Sequence, residues 1–104
     1  MSLQGEIALV TGAGNGMGRA IALEFANEGA SIVAADINAN AVDAVAAEIN
    51  DTGGRAIAVE ADLGNMASIE HMTTAAEAFG PVSILVNNAG TTRYSALMDV
   101  TEAD

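Results

Sequence analysis

The sequence has no cysteine, no tryptophan and no lysine, and it has a single proline. Without cysteine there can be no disulfide, no thiolate metal site and no thiol nucleophile. Arg19, Arg55 and Arg93 are the only strong bases, set against fourteen acidic residues, for a net charge of −11 over 104 residues. Nucleic acid and anionic membranes are bound through several basic contacts, so neither is expected as a partner. An anionic ligand would have to be held by local dipoles and by Arg19. Aromatic residues are nearly as scarce: Phe25, Phe79 and Tyr94 are the only three. The core must therefore be built from Ala, Val, Ile and Leu, which favours thin, closely packed helix-on-sheet layers. No apolar run approaches membrane-spanning length. A strand is already under way by Glu6, which leaves no room for a signal peptide, so a cytoplasmic location is expected. The length is that of one domain, residues 1–104, and a small one for a parallel sheet.

What is present alternates. Glu6 to Val10 is an apolar β-run, and a helical pattern follows with Ile21, Ala22, Phe25 and Ala26 on one face. Gly29 is placed to end that helix as its C′ residue. Ser31 to Ala35 is a continuous apolar run, the mark of a strand buried on both faces. Asn38 or Asn40 can cap a second helix with Val42, Val45, Ala46 and Ile49 on its apolar face. Arg55 to Glu60 reads as a third strand. A third helix carries Met66, Ile69, Thr73, Ala76 and Phe79 and stops at Gly80-Pro81. Ser83 to Val86 is a fourth strand, and Thr91 to Val100 has no clear period. Alternating strands and helices predict an α/β fold: a doubly wound, Rossmann-type parallel sheet of four strands, order 3-2-1-4, with three helices.

The first turn, Thr11-Gly12-Ala13-Gly14-Asn15-Gly16-Met17-Gly18, reads T-G-x-x-x-G-x-G. A strand feeding such a turn into a helix start is the geometry for holding phosphate. The first N–H groups of a helix have no intrahelical partner and carry the positive end of the macrodipole. Asp36 stands eighteen positions beyond Gly18, at the end of the second strand. A carboxylate there can accept both ribose hydroxyls of an adenosine and would repel a 2′-phosphate. Ile37 follows it, and Asn15 occupies a turn position where an arginine could have served, so NAD is selected over NADP. A strand-end or helix-capping aspartate is the plainer alternative for Asp36. Asp62-Leu63 and Asn87-Asn88-Ala89-Gly90 also follow strand ends and would line the same rim. For Asp62, an N-cap or Asx turn is nearly as good an account. One of Asn87 and Asn88 is expected only to brace strand ends. His71 has no partner at ligand spacing, so no metal is expected. Arg19 could reach a phosphate or pair with Glu28 or another acid.

Taken together, these motifs resemble the N-terminal, cofactor-binding half of a short-chain dehydrogenase/reductase, over essentially the whole chain. The resemblance implies an NAD(H)-dependent oxidoreductase acting on an alcohol or carbonyl. It implies that Gly12, Asn15, Gly16, Met17 and Gly18 flank the pyrophosphate and adenosine, and that Asp36 takes the adenine ribose. Asp62 and Leu63 would contact the adenine ring; Asn88, Ala89 and Gly90 would border the ribose and the sheet. A full-length member would be a homo-oligomer.

The family's catalytic centre is not matched. It uses a serine and a Tyr-x-x-x-Lys pair, in which the lysine lowers the tyrosine pKa for proton exchange. The only tyrosine is Tyr94, the fourth residue after it is Met98, and no lysine exists. No catalytic residue is assigned, and the chain by itself is expected to be inactive. Thr101 to Asp104 resembles a capping-box helix start, which fits a family member truncated before its catalytic half. A small alcohol or carbonyl substrate is then expected only of a longer chain. Two alternatives stand beside this. One is a non-catalytic nucleotide-binding module. The other is an interaction fragment pairing through an exposed fourth strand.

Overall fold

The computed structural model describes residues 2–88. The expectations placed on Ala89, Gly90, Tyr94 and Thr101 to Asp104 lie outside the described residues. The elements run β1 (Ile7–Thr11), α1 (Gly16–Asn27), β2 (Ser31–Asp36), α2 (Ala39–Asp51), β3 (Ala56–Glu60), α3 (Met66–Phe79) and β4 (Ile84–Asn87). All pairings are parallel, and the sheet order is β3-β2-β1-β4. This is the doubly wound α/β architecture expected from the alternation.

Both faces of the sheet are covered, which is why β1 and β2 are apolar without a break. Ala8, Val10, Ile32 and Ala34 pack on one side with Ala22 of α1 and Val42, Val45 and Ile49 of α2. Ile7, Leu9, Val33 and Ala35 pack on the other with Ile69, Met72 and Ala76 of α3. The strand period of two sends successive side chains to opposite layers. Each fully buried Leu, Ile or Met contributes roughly 1.5–3 kcal/mol. Every residue of β4 is only half-buried, because it stands at an edge of the described sheet with one strand neighbour.

The strand bounds and the buried face of α3 differ from the sequence expectation. β1, β2 and β4 each run one residue further, to Thr11, Asp36 and Asn87, because parallel pairing continues to Thr11–Ala35, Thr11–Asn87 and Asp36–Glu60, while β1, β3 and β4 each begin one residue later. The Ala61 N–H then donates to the Asp36 carbonyl at 2.9 Å. On α3 the buried set is Ile69, Met72, Thr73 and Ala76. Met66, the first residue of α3, is 36% exposed, and Met72 is in the core instead.

The helix ends follow their local chemistry. Asn38 caps α2, its Oδ1 accepting the Ala41 N–H at 3.0 Å, and Asn65 caps α3 by accepting the Ser68 N–H at 3.0 Å. Such caps contribute about 1 kcal/mol each. α1 closes in a Schellman arrangement: Gly29, at φ 104°, donates to Ala26 O, and Ala30 donates to Phe25 O, both at 3.0 Å. At the end of α3, Arg55 Nη2 donates to the Phe79 carbonyl at 2.7 Å. The Arg55 guanidinium lies 3.7 Å from the centre of the Phe79 ring. No helix among the described residues is long and apolar enough to cross a membrane.

Candidate functional site

Strand order reverses direction at β1: the chain steps outward to β2 and β3, then returns to place β4 on the other side. Helices on opposite faces leave a crevice at the carboxyl ends of the strands. A cleft of about 400 Å³ opens there, lined by Thr11, Gly12, Asn15, Asp36, Ile37 and Asn88, with the Ala61–Gly64 segment as its far wall. Four separate strand ends thus converge on one concavity.

The turn after β1 is held from both sides. Thr11 Oγ1 donates to Asn87 Oδ1 at 3.0 Å and accepts the Asn88 N–H at 3.1 Å. Asn88 Nδ2 donates to the Gly12 carbonyl at 3.4 Å. Asn87 is therefore a brace between β1 and β4, whereas Asn88 braces and also lines the cleft. Gly18 is buried beneath the turn, where a Cβ would coincide with the Gly12 carbonyl oxygen. It lets α1 start directly against the end of β1. Gly16, at φ 58°, is the first residue of α1, and Met17 is 70% exposed. Neither of these two, nor Gly18, lines the cleft.

Asn15 sits at the N-cap of α1 with extended backbone, yet its side chain makes no capping hydrogen bond. That separates α1 from α2 and α3, whose asparagine caps are closed. The leading N–H groups of α1 keep their unpaired donor capacity, and the helix dipole places partial positive charge there.

Asp36 is half-buried at the end of β2. Its Oδ2 accepts the Gly14 N–H at 2.9 Å and its Oδ1 accepts the Asn38 N–H at 3.1 Å. One carboxylate therefore joins the glycine turn to the start of α2. Asp62 forms an Asx turn, its Oδ1 accepting the Gly64 N–H at 2.9 Å, while its own N–H donates to Ser68 Oγ at 2.8 Å. The Asx-turn account of Asp62 is thus the one the geometry shows, and the same turn forms a wall of the cleft. Leu63, 8% exposed, packs into the α3-side core and closes the floor.

No arginine lines the cleft among the described residues. Arg19 pairs with Glu48 at 2.7 Å across the α1–α2 surface, and Arg55 is engaged at the end of α3. The acid chosen by Arg19 is thus Glu48 rather than Glu28. His71 is exposed on α3, and among the described residues no group of three His, Cys, Asp or Glu could hold a metal ion.

A larger groove of about 600 Å³ opens at the opposite rim, between Leu23, Ala26, Ile49, Thr52 and Arg55. There α1 and α2 present their carboxyl ends, where the dipole is negative. The helix dipoles thus favour an anion at the first cleft over the second, although Arg55 lines the larger groove. Ile37 is the site residue that periodicity does not mark. It is 64% exposed and lines the cleft beside Asp36. An apolar residue just past a strand end is its one sequence signal.

Residues 6–104 match the family profile described as short chain dehydrogenase. The chain is 44% identical over 105 aligned residues to subunit BbsD of a hydroxy(phenyl)methylsuccinyl-CoA dehydrogenase of Thauera aromatica, covering all of this chain and 42% of that protein. A crystal structure of hydroxysteroid dehydrogenase from Escherichia coli superposes with a TM-score of 0.82 at 44% identity. It covers 86% of this chain and 39% of that one. A 7α-hydroxysteroid dehydrogenase complexed with NADH and 7-oxo glycochenodeoxycholic acid gives a TM-score of 0.81 at 42% identity, covering 83% and 34%. The chain spans about two fifths of the length of the curated relatives it matches.

Proposed function

The chain belongs to the short-chain dehydrogenase family, and from that premise we propose that it holds the adenosine half of NAD(H) for an oxidoreductase. The observation that carries this is the convergence at one cleft of an uncapped helix start and a carboxylate fixed by two backbone N–H groups. The start of α1 binds the pyrophosphate, which approaches over Gly12, Asn15, Gly16 and Met17. Gly18 allows that approach from below. Asp36 accepts the hydroxyls of the adenine ribose. The adenine ring lies between Ile37 and the Asp62-Leu63 wall, and Asn88, with Ala89 and Gly90 beyond it, borders the inner ribose.

NAD rather than NADP follows from charge. A 2′-phosphate would stand against Asp36 with no arginine of the described cleft to neutralise it, and like charges in contact cost several kcal/mol. The NADH-complexed relative is consistent with this choice. When bound, the nicotinamide supplies hydride transfer. The longer protein would exchange that hydride with an alcohol or carbonyl carbon. This chain's own residues bind and orient the cofactor, and none of them is assigned a catalytic step.

Isothermal titration of the 104-residue chain with ADP-ribose and with its 2′-phosphorylated counterpart tests the proposal. ADP-ribose is expected to bind at least about tenfold tighter than the 2′-phosphate form. Equal affinities, or a preference for the phosphorylated ligand, would contradict it.

A further inference from the structure

Gly14 is not one of the three glycines of the T-G-x-x-x-G-x-G pattern, which leaves its position open to any residue. The structure gives it a narrower role. Gly14 is buried, and its N–H is the donor to Asp36 Oδ2 at 2.9 Å. A Cβ built on it would lie 2.8 Å from Ala41 Cβ, 2.9 Å from Asp36 Oδ2 and 3.2 Å from Asp36 Cγ. Its φ is not positive, so what the site demands is space, not a left-handed backbone. Ala41 cannot give way easily. Its Cβ is fixed to α2, and its N–H is held by the Asn38 cap. The Asp36 side chain is the one neighbour free to move by rotation, and moving it breaks the bond to the Gly14 N–H.

We propose that Gly14 is a positioning residue for cofactor choice: it seats the Asp36 carboxylate, and through it sets the preference for a ribose 2′-hydroxyl over a 2′-phosphate. This rests on the proposal that Asp36 faces the adenine ribose. A carboxylate held by one backbone N–H on each oxygen, from Gly14 and from Asn38, meets the ribose diol in a fixed orientation. The ligand then need not order that side chain itself. It also keeps negative charge at the one place a 2′-phosphate would occupy.

The test is a double-mutant cycle on the 104-residue chain, with ADP-ribose and 2′-phospho-ADP-ribose as the probes. Gly14→Ala is expected to weaken ADP-ribose by roughly 3- to 10-fold and to lower its preference over the phosphorylated ligand. In an Asp36→Ala background the same substitution is expected to change neither, since its effect passes through that carboxylate. Gly14→Ala combined with Ala41→Gly removes the helix contact but keeps the collision with Asp36. It serves where Gly14→Ala alone fails to fold, and it must show the same lost preference. An unchanged preference in these variants overturns the inference, as does an equal loss with and without Asp36. Should Asp36→Ala itself leave the preference intact, or should the parent chain bind neither probe, the cofactor proposal falls and takes this one with it.

Discussion

Gly18→Ala is expected to lower the melting temperature by about 12–24 °C and to abolish ligand binding. The added Cβ falls on the Gly12 carbonyl oxygen, 2.6 Å from the Gly12 carbonyl carbon and 2.7 Å from Asn88 Nδ2. Two of those three atoms are backbone at the end of a fully buried central strand, so no side-chain rotation relieves the contact. Either α1 lifts off the sheet or β1 is pushed out of register with β2 and β4. Overpacking typically costs 1–3 kcal/mol, and collision with fixed backbone belongs at or above the upper end, about 3 kcal/mol. At roughly 4–8 °C per kcal/mol for a domain of this size, that gives the stated shift. A melt by circular dichroism reads it directly. A change of less than about 2 °C would mean that α1 does not start as close to β1 as described.

Asp36→Ala has a different profile, a large loss of binding with a smaller loss of fold. The carboxylate is half-buried at the cleft wall; of the two N–H groups it leaves, that of Asn38 belongs to an exposed residue and that of Gly14 to a buried one, so the cost to the fold is about one lost hydrogen bond, roughly 1–3 kcal/mol. Ribose hydroxyls donating to a carboxylate make charge-assisted hydrogen bonds worth about 1.5–3 kcal/mol each. Losing them, with water restored on both sides, is expected to weaken ADP-ribose by about 30-fold, or 2 kcal/mol. Affinity for 2′-phospho-ADP-ribose is expected to hold or rise, because the like charge facing its phosphate is gone. Titration of both ligands, beside a melt, separates these terms. Unaltered ADP-ribose affinity would remove Asp36 from the site.

These two residues also mark how far the site can be read from the chain alone. The strand order and the helix layers are legible because β1 and β2 are unbroken apolar runs punctuated by glycine. Runs of that kind are stable only when covered on both faces. Asp36, Asp62 and Asn88 are legible because each follows a strand end. What is not legible depends on distances through space. Nothing in the local pattern separates Gly14 from a freely variable turn residue, since the neighbour that confines it, Ala41, lies on the next helix. Ile37 breaks no rule of periodicity and shows its place only where the cleft opens beside it. The choice of Asn38 over Asn40 as the α2 cap required backbone angles: Asn38 is extended, at φ −90° and ψ 96°. On α3 the expected stripe included Met66 and left out Met72, and it is Met72 that is buried beside Ile69 and Ala76. For Asp62 the sequence offers an Asx turn and a ligand contact alike, and the turn becomes legible only from Oδ1 accepting the Gly64 N–H.

The central claim is that the cleft at the carboxyl rim, rather than the larger groove opposite, receives the adenosine half of the cofactor. Amide chemical-shift mapping of the 104-residue chain during titration with ADP-ribose tests it most directly. The largest shifts are expected at Gly12 to Gly18, at Asp36 to Asn38 and at Asp62 to Gly64. Shifts centred instead on Leu23, Ala26 and Thr52 to Arg55, or none at saturating ligand, would contradict the account.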